Sequence, residues 1–109
     1  MDPLDAFRTL EMRVGRIVSA EIHAAARQPA YTLSIDFGPA GLKTSSAQLT
    51  KLYRPEDLVG RLVVAATNLG ARRIAGVSSE VLVLGVPDET GGVVLLTTER
   101  YVPLGGRIF

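Results

Sequence analysis

Two serines and a glutamine, Ser45, Ser46 and Gln48, stand in the run TSSAQ, where a buried strand would carry apolar side chains. Hydroxyls and amides at this spacing donate and accept hydrogen bonds, so the run reads either as a ligand-facing strand or as an ordinary half-solvated one. A second polar set follows at Asn68, Arg72, Arg73, Ser78, Ser79 and Glu80, and a third at Arg27 and Gln28. Paired guanidiniums clamp phosphates through charge-assisted bonds, or else sit as loop charges against Glu21, Asp36 or Glu80. Asn68 has its own alternative, an amide that satisfies loop backbone groups. The rest of the chemistry is sparse. There is no cysteine, and the one histidine, His23, closes a strand-like run and reads as an exposed strand-end residue. No catalytic constellation is legible, neither GxGxxG nor GxxxxGK[ST] is present, and no metal or cofactor is called for.

The chain has 109 residues, 47% of them hydrophobic, and a net charge of +1. That is one domain, residues 1–109, with enough apolar surface for a single core. Near-neutral charge argues against indiscriminate nucleic-acid binding and leaves room for a local basic patch. The apolar runs LVVAA and VLVLGV fall far below the roughly 18–20 residues of a bilayer span, so no membrane insertion is expected. The acidic start MDPLDAFRTL lacks the basic and apolar segments of a secretory leader. With no cysteine, the expected location is the cytoplasm.

Positioning these groups requires strands. Asp2 and Pro3 open a short helix with Leu4, Phe7 and Leu10 at helical spacing. So short a helix must dock on the body or on a partner chain. Glu11–His23 reads as a long strand bent near Gly15, and YTLSIDF alternates through Tyr31, Leu33, Ile35 and Phe37. Tyr31 is therefore expected in the core. GPAG turns into LKTSSAQLT, Arg54–Val59 forms a helical turn, and RLVVAATN is the fourth strand. LGARRIAGVSS reads as a mobile loop, SEVLVLGV as the fifth strand, and VVLLTT with the tail PLGGRIF as a strand-like extension. Three antiparallel strands, a short helix and two more strands give an all-β class, a five-stranded Greek-key barrel of the OB type, with a sandwich of similar strand count, which would usually lack the helical insert, as the competing architecture. The ligand face of such a barrel is strands two and three, flanked by the loops holding Arg27 and Arg72–Arg73.

The runs AAARQPAYTLSIDFG, GLKTSSAQLTKLYRPEDLVGR and VVAATNLGARRIAGVSSEVLVLG resemble the tRNA-binding domain family, and SSAQLT, NLGARRIAG and SEVLVLG are most similar to its CsaA-type, export-related chaperone branch. The resemblance implies a non-enzymatic, ATP-independent homodimer whose N-terminal helix makes the contact through Leu4, Phe7 and Leu10. It implies unfolded or preprotein polypeptides as partners, with tRNA held by shape as the alternative. The positions carried over by the resemblance are Ser45, Ser46, Ala47, Gln48, Asn68, Arg72, Arg73, Ser79 and Glu80; Arg27 and Lys43 join the ligand set from their place on the barrel face. For the tRNA reading, Lys43, Lys51, Arg54, Arg72 and Arg73 would meet phosphates. The family often carries prolines where Gly70 and Ala71 stand, so the loop is expected to be more costly to order. Thr32 replaces a frequent lysine and weakens the basic face.

Overall fold

The computed structural model describes every residue, Met1–Phe109. Its strands run β1 (Met12–Ile22), β2 (Tyr31–Asp36), β3 (Leu42–Ala47), β4 (Leu62–Ala66), β5 (Arg72–Ile74), β6 (Val77–Ser79), β7 (Leu82–Val83), β8 (Gly85–Pro87) and β9 (Val93–Leu95). Helix α1 (Pro3–Thr9) precedes them, and α2 (Pro55–Leu58) lies between β3 and β4. One antiparallel sheet, ordered β3-β2-β1-β4-β7, curls into a nearly closed barrel of the expected OB type. Long β1 serves both halves, pairing with β4 along Met12–Arg16 and with β2 along Arg16–Ile22.

Alternation decides the core. Tyr31, Leu33, Ile35 and Phe37 point inward from β2 and meet Ile17, Leu49, Leu58, Val63, Ala65 and Val81. The bend of β1 does not fall at Gly15 but later, as a bulge at Val18. Gly15 serves packing instead: a Cβ there would lie 2.6 Å from Ile35 and 2.7 Å from the Phe37 ring. The ring takes the space that a side chain would need.

The two outer strands, β3 and β7, do not pair with each other. Side chains from the segment before β7 close the seam. Glu80 N–H donates to the Thr44 carbonyl (2.8 Å), Thr44 N–H and Oγ1 donate to Glu80 Oε1 (3.0 and 2.9 Å), and Ser46 N–H donates to Ser79 Oγ (3.0 Å). This interrupts the expected fifth strand, because Ser79 and Glu80 serve the seam, Val81 turns into the core and only Leu82–Val83 pair with β4. The segment after β7 forms its own hairpin, β8 with β9. The tail returns along β1, with Val14 N–H donating to Gly106 and Ile108 N–H to Met12.

The segment read as a mobile loop is a second hairpin, in which Arg72 faces Ser79 and Ile74 faces Val77. Its turn, Ala75–Gly76, puts both residues at positive φ, 46° and 86°. Glycine tolerates this at no steric cost, whereas an alanine pays on the order of 1 kcal/mol. The hairpin therefore carries local strain, which persists only where neighbouring contacts enforce it.

Candidate functional site

β3 is half solvated and splits its serines. Ser45 lies opposite Leu33, is 1% exposed and belongs to the interior, while Ser46 faces outward. Three adjoining hollows meet at Ser46. The first, about 430 Å³, runs between the loop after β1 (Arg27, Gln28) and the hairpin turn (Ile74, Ala75), with Ser46 and Gln48 beneath. The second, about 120 Å³, passes under the hairpin along Arg72, Ser79 and Glu80. The third, about 260 Å³, lies between Gln48 and the apolar Leu82, Val83 and Val93. Together they form a groove with amide and hydroxyl groups below, apolar walls, and arginines at two ends. Such a mixture suits a ligand that offers both backbone amides and apolar side chains.

The arginines expected beside the groove are free of carboxylates. The ion pairs of the chain are Arg13–Glu11, Arg54–Glu56, Arg54–Asp57 and Arg100–Glu99, so Arg27, Arg72 and Arg73 have none. Arg72 lines the second hollow and Arg73, one residue on in β5, is also exposed. Of the other cations, Arg54 is engaged by Asp57, and Lys51 donates to the Thr90 carbonyl. Lys43 is half-buried on β3.

Several candidate residues have architectural partners. Asn68 Oδ1 accepts from Glu11 N–H and its Nδ2 donates to the Thr9 carbonyl, both at 2.8 Å, which fastens α1 to the barrel. Ser79 and Glu80 hold the seam described above. The Thr44 backbone amide, and then its hydroxyl, hold the Glu80 carboxyl below the ordinary value of 4.5. A depressed carboxylate contributes stability that is complete above 4.5 and lost as pH falls through the folded value. Acid titration of Glu80→Gln, followed by thermal unfolding, is expected to show a less stable protein at neutral pH and a gap that closes below about 4.5. Parallel curves at all pH values would deny the seam its charge.

His23 departs most from expectation. Instead of an exposed strand end, it is 7% exposed. Its Nδ1 lies 2.9 Å from Ser46 Oγ and its Nε2 3.3 Å from the Ala75 carbonyl. The sequence offered no sign of this, because the two partners lie 23 and 52 residues downstream.

Helix α1 buries no residue, and Leu4 (55%) and Phe7 (40%) remain exposed although Asn68 tethers the helix end. Its cap is as expected, with Asp2 Oδ1 accepting from Asp5 N–H. No helix is long and apolar enough to cross a membrane.

The sequence profile of a putative tRNA-binding domain matches residues 12–107. Among solved structures, the chaperone CsaA of Bacillus anthracis is 49% identical, with a TM-score of 0.93 over 100% of this chain and 99% of that one. The CsaA chaperone protein of Picrophilus torridus is 38% identical, with a TM-score of 0.92 and full coverage of both chains. The methionine–tRNA ligase of Pyrococcus abyssi is 34% identical over 104 residues, 95% of this chain. The chain spans only 14% of that ligase's length.

Proposed function

The chain belongs to the putative tRNA-binding domain family, and we propose that it works as a non-catalytic, ATP-independent chaperone that holds unfolded or export-bound polypeptide in the groove around Ser46. The observation that supports this reading is the composition of the groove. Gln28, Ser46 and Gln48 offer hydrogen bonds to any peptide backbone, while Ile74, Leu82 and Val93 accept apolar side chains without strict shape. Full-length likeness to two solved proteins named as CsaA chaperones supports it further. In this reading Arg27, Lys43, Ser46, Gln48, Arg72 and Arg73 meet the ligand; Asn68, Ser79 and Glu80 shape its surroundings, and Ser45 sets the β3 register from within. The working form is a cytoplasmic homodimer that covers the exposed edge of Leu4 and Phe7, with Leu10 beside it.

A second reading, a structure-specific tRNA binder, is favoured by the three arginines without carboxylate partners. Fluorescence titration of labelled total tRNA and of a labelled, reduced and carboxymethylated polypeptide, across a salt series, separates the two. The chaperone reading expects polypeptide binding with shallow salt dependence, weakened by about tenfold or less in the triple variant Arg27→Ala, Arg72→Ala, Arg73→Ala, as exposed charges at the rim contribute little each. Tight tRNA binding, with a steep salt slope that falls by about one for each arginine lost, would give the tRNA reading precedence.

A further inference from the structure

We infer that His23 is the positioning residue of the groove, a latch from which both of its walls hang. This rests on the reading of that groove as the ligand site, and it assigns a task to the chain's one histidine.

The first wall is the loop after β1. His23 N–H donates to the Ala30 carbonyl (2.9 Å) and the His23 carbonyl accepts from Ala26 N–H (3.1 Å), which fixes the loop that carries Arg27 and Gln28. The second wall is the β5–β6 hairpin. Its base is pinned to β3 by Ser79 and Glu80, but its turn reaches the barrel through the His23 ring. The Ala75 carbonyl can only accept, so Nε2 carries the hydrogen and donates to it. In the neutral ring Nδ1 then accepts from the Ser46 hydroxyl, whose own residue forms the floor. One imidazole therefore spans floor and wall, and both of its partners line the same hollow.

Strain points the same way. Ala75 sits at φ 46°, imposed by the Ile74–Val77 pairing on either side of the turn, and the bond from His23 adds the contact that ties this strained residue to the barrel. Without the bond the hairpin pivots about its pinned base, Ile74 and Ala75 move away from Gln48, and the groove loses a wall. A ligand must then meet the ordering cost of the hairpin as it binds.

The two nitrogens can be tested apart. His23→Gln keeps an amide donor near Nε2, His23→Asn keeps a polar group near Nδ1 alone, and His23→Ala keeps neither. The backbone bonds of the first wall remain in all three. Amide hydrogen exchange of residues 73–78 is measured in each free protein, with β2 amides as the reference for global stability. The same variants are titrated with the carboxymethylated polypeptide. Hairpin exchange is expected to rise roughly fivefold to tenfold relative to β2 in the Asn and Ala variants, the factor one net hydrogen bond supplies, and to stay within about twofold in Gln. Polypeptide affinity should fall in the same order. If the three variants behave alike, or none changes the hairpin, the latch is overturned. A wild-type chain that binds no polypeptide would instead remove the chaperone reading, and the exchange data alone would decide the latch.

Discussion

Phe37→Ala is expected to destabilise the protein by about 3–5 kcal/mol, a large share of the roughly 5–15 kcal/mol available to a domain of this size. The ring is fully buried in the ten-residue core, so truncation forfeits both its transfer free energy and its packing contacts. The main-chain bonds of the residue survive the truncation and keep the turn in place, so the loss is that of the side chain. Phe37 N–H donates to the Gly41 carbonyl, and the Phe37 carbonyl accepts from Ala40 N–H, so this residue also anchors the turn between β2 and β3. The Phe37 carbonyl further lies 2.5 Å from where a Cβ on Gly105 would stand, which brings the tail against the same spot. Denaturant unfolding should show the midpoint falling with little change in slope. A loss below about 1 kcal/mol would mean that the ring is not the centre of this core.

Gly15→Val is expected to be at least as damaging, with most of the protein lost from the soluble fraction. Its Cβ alone would meet Ile35 Cγ2 at 2.6 Å and Phe37 Cε1 and Cδ1 at 2.7 and 2.8 Å. Val63 of β4, opposite Gly15, and β2, pressing on its inner face, leave the backbone little room to retreat. Overpacking of this kind costs about 1–3 kcal/mol for modest additions and more for a branched side chain in a rigid barrel. The milder Gly15→Ala should be partly rescued by Phe37→Leu, since residues in direct contact couple by about 0.5–3 kcal/mol. Strict additivity of those two changes would show that the clash is relieved elsewhere.

These core relations were only partly legible in the sequence. Alternation through Tyr31, Leu33, Ile35 and Phe37 gave the inward face of β2 directly, because a strand has a period of two. The same rule applied to β3 separates Ser45 from Ser46, which a reading of the pair as one unit obscures. Gly15 was visible as an irregularity, but its cause lay in a ring twenty-two positions away, and the bulge itself fell at Val18. The β5–β6 hairpin escaped because Ala75–Gly76 lacks the Asn-Gly or Asp-Gly turn that advertises two residues at positive φ. Arg72 and Arg73 were expected at the groove; Arg72 lines it from a strand, where pairing to Ser79 has already met much of the ordering cost, while Arg73, the next residue of that strand, lines none of the three hollows. His23 could not be read as buried, since nothing local to its strand end announces Ser46 or Ala75.

The seam between β3 and the segment before β7 has one more consequence. Every other junction of the barrel is a ladder of main-chain bonds, which any sequence of suitable shape can form. This one has a single main-chain bond, from Glu80 to Thr44, and otherwise depends on the oxygen atoms of two particular side chains, Ser79 and Glu80. Its strength is thus a heritable quantity, adjustable by single-codon changes at two positions while the rest of the barrel keeps its architecture.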